Sequence, residues 1–544
     1  MSRVLHRRAV PFLILFVVSA ARAAPPAPTT SPALRTYPVE RLICDFARRD
    51  DSSTPESAYA TVRRHDLDTT DPPGVGQILE VFTFGQEAAV HARRADGRID
   101  VAFFHLQDGQ WLGAEFDEAL TLPLARRLTL RRFSASVPKP PRDKIADPAA
   151  YLQLLVDHLR RTARPPRDFL LQSLAAHRLT VIGEIHHRPA YWSLNSQLVA
   201  DPSFARTTGT IYLELPSNHQ SDIDRFLAAG AFDPAPVIQT FRDVAWMGWP
   251  DQPMLDFFDT VWKVNQVLPA NRRIRVVAVD TPRPWKDIHR RDDWKRYETD
   301  RDHYMAGKIL ADLPRRSDPR GALLVVGYAH AARALRFSAD QLSVIDTAAS
   351  RLAESLGDQL YTILQHGPVI DNLGGTYGRA ARGLFDSAFA AYTPGGSQPV
   401  AFPLADSPFG AQPFDAEAEL ARVTTGRYQD AYDAYLYLGP LEEEIFSPLI
   451  QDFYSNDFVN ELDRRSRLSS GRALAADLHL PAADGRTFAG WMSNTWGRPR
   501  GWRDRLGPLD AWQAGDDGRR ATSQHAATQP APPPDQLFAP EDHQ

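Results

Sequence analysis

The sequence predicts an α/β protein with a mostly parallel sheet and helices on both faces, preceded by a small α+β amino-terminal module. Three observations predict it. First, four short apolar runs, Leu179–Ile182, Ile211–Leu213, Ile274–Val279 and Leu323–Val326, have the near-continuous character of strands buried on both faces. Second, segments with apolar residues at i, i+3 and i+4 alternate with them, the order of a parallel sheet built from crossover helices. Third, each run ends at an ionisable residue: Glu184 with His186, then Glu214, Asp280 and His330. Ligands of open α/β sheets bind outside the carboxyl ends of the strands, so these groups are expected on one rim.

The chain opens on Arg3, Arg7 and Arg8, an apolar run from Ala9 to Ala21, and the small-x-small site Ala21-Arg22-Ala23. That is the pattern of a secretory signal peptide, residues 1–23, cleaved after Ala23; the apolar run falls short of the roughly 18 residues that span a bilayer. An exported protein, periplasmic or secreted, with no transmembrane segment after cleavage, is expected. Cys44 is the only cysteine, so no intrachain disulfide can form. Cleavage removes Arg3, Arg7, Arg8 and Arg22, four of the 62 basic residues, and none of the 67 acidic ones, leaving a net charge of −9. An acidic balance of this kind argues against nucleic acid as a partner.

After the Pro- and Ala-rich stretch 24–33, a module is expected over 37–132. Thr54-Pro55-Glu56 has the form of a helix start. Strands are expected at Ile78–Phe84, Ala88–Arg93, Ile99–His105 and Trp111–Phe116, with Asp96-Gly97 and Asp108-Gly109 as hairpin turns. One helix on a curved antiparallel sheet follows, with no catalytic constellation and an accessory or interaction role.

A Pro/Lys-rich linker, 134–148, leads to the main domain, 149–467. Helices are expected at Tyr151–Arg160, Phe169–Ala175, Ile223–Leu227, Met254–Val267 and Tyr304–Leu313, and further strands at Leu360–Leu364 and Ala434–Leu438. The Gly-, Pro-, Ala- and Ser-rich stretch 374–422 has the composition of an insertion or lid-like loop. Leu441–Leu462 is expected to be helical, 468–512 to be a small β-rich appendage carrying Trp491, Trp496, Trp502 and Trp512, and 513–544 to be disordered.

The chemistry concentrates in Val181-Ile182-Gly183-Glu184-Ile185-His186-His187 and Val325-Val326-Gly327-Tyr328-Ala329-His330. In both, a glycine follows a buried strand and a histidine follows three residues later; glycine permits a sharp turn and close approach of a ligand to the backbone. A lone histidine is more often structural, but two such elements 144 residues apart point to a functional pair. No Gly-x-Ser-x-Gly elbow, His-Glu-x-x-His helix or Walker loop occurs, which excludes the usual serine hydrolase, zincin and P-loop chemistries.

This arrangement, with Leu213-Glu214, Gln220, Asp224-Arg225-Phe226-Leu227, Val279-Asp280, Arg301-Asp302 and Met305-Ala306 between and around the paired elements, resembles the superfamily that joins Tiki/TraB-type proteins, ChaN-like haem-uptake proteins and erythromycin esterase-like hydrolases. The resemblance covers roughly 169–333. Its three branches imply different things. The Tiki branch implies His186, Glu214 and His330 as ligands of a divalent ion in a peptidase. The esterase-like branch implies Glu184 or a histidine as the base that activates water. The ChaN branch implies haem binding without catalysis.

A metal would lower the pKa of bound water from about 16 toward 7, with Glu184 free to take the proton; a metal-free cluster of carboxylates and imidazoles could serve as well. The catalytic set is then Glu184, His186, Glu214, Asp280, Arg301 and His330, Arg301 holding an oxyanion or substrate carboxylate through paired hydrogen bonds. His187 and Tyr304 are candidate cofactor contacts at the pocket mouth. Trp246, Trp249 and Trp285 are candidates for an apolar wall, His366 for a weaker second-tier position. The expected activity is hydrolysis of an ester or amide in a small-molecule or peptide substrate. The alternatives are a haem- or metal-binding protein without catalysis and a purely structural interaction protein.

Overall fold

The computed structural model describes residues 36–37, 78–94, 97–107, 110–139, 144–290, 293, 296–297, 299–313, 319–370, 377–393, 397–495 and 506–513. The expected signal peptide, the helix start at Thr54, the turn residues Asp96, Asp108 and Gly109, Trp496, Trp502 and the tail lie outside them. The described chain divides into two compact units, one holding residues up to 138 with 337–343, the other 139–336 with 344 onward.

The first unit is an antiparallel sheet of β1 (Thr36–Tyr37), β2 (Ile78–Phe84), β3 (Glu87–Arg93), β4 (Ile99–Gln107) and β5 (Gln110–Ala119), in the order β1-β5-β4-β3-β2. The alternation that predicted these strands places Ala89, Ile99, Val101 and Phe103 in one apolar core. The helix that covers it runs over Leu122–Ser136 and contributes Ala125 and Phe133. The helix carries the chain past the expected module end at Arg132 and into the expected linker, and it starts on a cap at Thr121, which accepts from Leu124 N, with Pro123 in the first turn.

The second unit is built on a seven-stranded sheet of β6 (Leu179–Glu184), β7 (Thr208–Pro216), β8 (Arg275–Asp280), β9 (Gly321–Gly327), β10 (Leu360–Gln365), β13 (Val400–Pro403) and β14 (Ala434–Tyr437), in the order β13-β14-β10-β6-β9-β7-β8. A small antiparallel pair, β11 (Pro368–Ile370) and β12 (Tyr377–Arg379), stands beside it. All neighbours in the large sheet are parallel except the edge strand β13. The chain leaves β6, forms β7 and β8, returns to insert β9 beside β6, and only then moves to β10 on the other side. That reversal at β6 and β9 is the topological switch point at which such sheets bind ligands.

Both faces are covered, as expected. Ile182, Leu213, Val325 and Ile363 share one core with Leu170, Tyr191, Leu198, Phe226 and Phe257 from the helices Pro166–Ala176, Pro189–Ala200, Gln220–Ala228 and Gln252–Val267. With side chains alternating along a strand, Val181, Tyr212 and Leu324 point to the opposite face, yet they too are buried. Tyr212 there donates to Asp312 Oδ2 at 2.7 Å, which sets the helix Arg301–Asp312 on that face. Side chains bind the backbone along β8: Gln220 donates to Val276 O (2.9 Å) and accepts from Ala278 N (2.8 Å), and Asn265 does the same at Ile274, standing in for a neighbouring strand.

Three expectations about the carboxyl-terminal half are corrected. The stretch 374–422 is not a lid: its described residues form β12, the helix Leu384–Tyr392 and β13, and Phe385, Phe389, Phe402 and Phe409 pack with Tyr435 of β14 into an aromatic cluster. Its glycines and prolines separate short elements that each carry a large ring. In Leu441–Leu462 the α-helix begins only at Asn456, where Ser455 caps Phe458 N, because Pro448 interrupts the earlier turns. The Trp-rich segment is helical where described, at Leu474–Asp477 and Gly485–Thr495, the latter started by Asp484, which accepts from Thr487 N at 3.0 Å.

Candidate active site

Four adjacent strands, β6, β9, β7 and β8, deliver the predicted residues to one rim. Glu184 closes β6 and is 3 % exposed. His186, two residues on, turns its Nδ1 back to Glu184 Oε1 at 2.9 Å. A bond from Nδ1–H to a carboxylate fixes the tautomer and makes Nε2 the nitrogen that can exchange a proton. The loop that holds this pair is anchored by Arg188, fully buried, which donates to His366 O at 2.5 Å and to Glu444.

Gly327, at the end of β9, explains the close packing here. A Cβ on it would lie 3.1 Å from His186 Nε2 and 3.4 Å from Glu214 Oε2, so glycine lets an imidazole and a carboxylate approach the same point of the backbone. Gly183 has a related role, which corrects the expected sharp turn: it sits within β6, and a Cβ would come within 2.9 Å of Ala331 Cβ and 3.0 Å of Tyr328 Cα. Its bareness admits the short helix Tyr328–Ala331 that carries His330.

Glu214 lies inside β7, where the pairing register shifts between Leu213 and Pro216. An irregularity of this kind re-aims a side chain. Its Oε2 accepts from Gly327 N at 2.6 Å and its Oε1 from Arg301. Arg301 is the first residue of its helix, behind Asp300, which accepts from His303 N. Its guanidinium also grips Asp280 in the paired geometry, Nε to Oδ1 at 2.7 Å and Nη2 to Oδ2 at 2.9 Å. Burial works against the Asp280 carboxylate, but Arg301 and Arg283 outweigh it and hold its pKa below the ordinary range.

His330 completes the cluster. Its Nδ1 meets Asp302 Oδ1 at 2.8 Å, and its Nε2 lies 3.8 Å from Glu214 Oε1 and 3.4 Å from Arg301 Nη1. Burial opposes the imidazolium, yet Asp302 and Glu214 together prevail over burial and Arg301 and push its pKa up to about 9. With its pKa raised in this way the imidazole holds its proton at neutral pH, and the nearest carboxylate oxygen to Nε2, Glu214 Oε1 at 3.8 Å, lies beyond hydrogen-bond distance.

The structure thus brings Glu184, His186, Glu214, Asp280, Arg301 and His330 together, and it assigns the groups differently from the metal expectation. Glu214, one of the three expected ligands, has both oxygens engaged by Arg301 and Gly327 N–H, and a guanidinium stands next to His330 Nε2. That donor set does not fit a divalent ion, and among the described residues no group of His, Cys, Asp and Glu is placed to hold one.

Of the two candidate cofactor contacts, His187 is at the site: its ring lies 6.1 Å from that of His186, and both pack on Trp249, at 4.5 Å for His186 and 5.9 Å for His187. Tyr304 instead shares a hydrogen bond with Ser217 Oγ at 2.7 Å. Of the three tryptophans only Trp249 walls the site; Trp285 is buried under Arg465 and donates to Ala245 O, and Trp246 packs on the main core. His366 is buried behind β10, Nδ1 toward Tyr435 Oη at 2.9 Å, a structural position.

Sequence reasoning missed two partners and one neighbour. Asp302 was noted beside Arg301 but not as the anchor of His330. Asp251, which precedes a helix with Pro253 in its first turn, has the form of a cap; its carboxylate makes no cap bond and meets His187 Nδ1 at 2.7 Å. Gln365 stands one step beyond the Leu364–Gly183 pair, next to Glu184 in register, 2 % exposed, and neither amide atom has a hydrogen-bond partner. No local pattern marks Gln365, and the one at Asp251 points to a cap.

No family model matches the chain and no curated protein matches it. Solved structures do. A succinoglycan biosynthesis protein is matched at 9% identity over 56% of this chain and 99% of its own, with a TM-score of 0.40. A Bacillus cereus protein is matched at 11% identity over 53% of this chain and 97% of its own, TM-score 0.37. An erythromycin esterase mutant in its open conformation is matched at 12% identity over 57% of this chain and 100% of its own, TM-score 0.35. At these identities none lends its activity to this chain. No described helix is long and apolar enough to cross a membrane.

Proposed function

We propose that this protein is an exported hydrolase that splits an ester or amide of a small-molecule or peptide substrate by attack of water, using side chains alone. His186 Nε2 takes a proton from the water as it attacks the carbonyl carbon, Glu184 holding the ring in the reactive tautomer. The His330 imidazolium, fixed by Asp302, donates Nε2–H to the oxyanion that forms. Arg301, bound through Nε and Nη2 to Asp280 and Glu214, locks the two carboxylates and keeps Glu214 at Gly327 N–H, which sets the floor of the site.

The observation that carries this reading is the 2.9 Å contact of His186 Nδ1 with Glu184, beside a buried imidazolium that keeps a hydrogen-bond donor in hand. A general base of this kind contributes typically about 10²- to 10⁴-fold in rate. The test is a panel of activated esters and amides offered to the chain from Ala24 onward, with His186→Ala as the comparison; a wild-type protein inert on the whole panel refutes the reading. Export is tested separately, by fractionation and amino-terminal sequencing: a mature protein beginning at Ala24 outside the cytoplasm supports it, a retained Met1 in the cytoplasm overturns it.

A further inference from the structure

Hydrolysis of an unactivated ester or amide needs a proton delivered to the leaving group, and of the residues assigned above only His186, by returning the proton it has taken from water, could supply it. His186 receives a proton, His330 is held between Asp302 and Arg301 and serves the oxyanion, and Glu184 is bonded to His186. A second histidine–carboxylate pair stands beside the first. His187 Nδ1 meets Asp251 Oδ2 at 2.7 Å, and Asp251 is 2 % exposed. The two imidazoles are 6.1 Å apart with planes at 63°, both against the Trp249 indole, and their side chains are equally accessible at 17 %.

The backbone at His187 is unusual in a way that aims this ring. Its φ is +67°, the left-handed region that is unfavourable for a non-glycine residue and persists where the surroundings enforce it. Three contacts enforce it here: the carboxylate of Asp251, the neighbouring Arg188 anchored to His366 O, and Ser447 N, which donates to His187 O at 2.8 Å. Without the left-handed turn, consecutive residues of an extended loop would send the two rings to opposite sides; with it both reach Trp249. A strained residue bonded to a buried carboxylate beside a general base is an arrangement that packing alone does not call for.

We propose that His187, oriented by Asp251, is the general acid that protonates the leaving group. This rests on the hydrolase reading. Water adds to the acyl carbon and gives its proton to His186 Nε2; the carbon–oxygen or carbon–nitrogen bond then breaks with its electron pair going to the leaving atom, which takes the proton of protonated His187 at Nε2. The cycle closes when the proton gained by His186 is released to solvent and His187 takes one up. Asp251, which touches no reacting atom, is a positioning residue.

The test is the dependence of rate on leaving group. His187→Asn keeps a residue that tolerates the left-handed backbone, and His187→Gly, which that backbone favours, guards against a folding artefact. Wild type and both variants are assayed on an acetyl ester of 4-nitrophenol, whose leaving group needs no acid, and on the acetyl ester of an alkyl alcohol and an acetanilide, which do. Losses within about 3-fold on the nitrophenyl ester and about 10²-fold or more on the other two are expected, partly restored by added imidazole, with Asp251→Asn showing the same selectivity at smaller size. Equal losses on all three substrates, or none, overturn the His187 assignment while His186→Ala still tests the hydrolase reading. A wild type without turnover on any of them overturns both.

Discussion

Arg301 and Asp280 face each other through two hydrogen bonds, 2.7 and 2.9 Å, with Arg301 at the first turn of a helix on one face of the sheet and Asp280 at the end of its edge strand β8. The same guanidinium holds Glu214 on β7, so one buried cation ties two strand ends to a helix. Lysine keeps the charge but not the planar fork. Arg301→Lys is therefore expected to cost about 1–3 kcal/mol, the worth of a charge-assisted hydrogen bond lost in a buried site, and to lower the melting temperature by several degrees. Denaturant titration of the two proteins checks it; an unchanged midpoint would show that the fork is not used.

Glu184 acts through His186, so its loss should appear in turnover and not in the fold. Glu184→Gln leaves a side chain of the same shape that can still meet Nδ1 but no longer stabilises the imidazolium formed when water is deprotonated. A fall in kcat of about 10²- to 10⁴-fold at near-normal melting temperature is expected. His105→Ala in the amino-terminal unit is the control: His105 pairs with Glu87 at 2.9 Å on a half-exposed side chain, and turnover should not change.

The raised pKa of His330 makes a prediction about stability against pH. A histidine whose folded-state pKa lies above its ordinary 6.5 contributes fully below pH 6.5 and loses that contribution as pH rises through its folded value, here about 9. The melting temperature should fall across pH 6.5 to 9, by an amount that reflects at most roughly 3 kcal/mol. Asp302→Asn removes the carboxylate that holds the proton and should flatten the slope. A wild-type profile that rises over this interval would contradict the protonated state assigned to His330.

Gln365 predicts the opposite pairing of effects. A buried amide with both atoms lacking a hydrogen-bond partner costs about 1–3 kcal/mol relative to a satisfied one, and an apolar side chain of similar length does not bear that cost. Gln365→Met is expected to raise the melting temperature by a few degrees while raising KM, because the amide stands next to Glu184 in register and would contact substrate. A lowered melting temperature would show that the amide is a structural partner after all.

What was legible in the sequence follows from what local chemistry can encode. Strands buried on both faces must be apolar throughout, so Leu179–Ile182 and Leu323–Val326 announced themselves, and the polar residues just past them had to be on the rim. The parallel pairing of β6 with β9 then brought Glu184 level with Gly327. Partners fixed only by tertiary approach were not legible. Asp251 and His187 are 64 residues apart and meet because the loop after β6 passes the start of a helix. The sequence reads Arg301 as a substrate clamp because no spacing shows that its Nε and Nη2 would meet Asp280 and Glu214, and the same guanidinium engages one of the three ligands expected of a metal. The segment 374–422 looked like a loop because its elements are shorter than the windows over which periodicity can be read, and its order comes from rings packed against β14.

The central claim, that His186 is the base of a site working through side chains alone, is tested most directly by steady-state hydrolysis of a 4-nitrophenyl ester by the mature chain, before and after exhaustive chelation, alongside His186→Ala. Turnover unchanged by chelation and lowered at least about 10²-fold in His186→Ala, with melting temperatures alike, is the predicted result. Turnover abolished by chelation and restored by a divalent ion, or retained in His186→Ala, would contradict it.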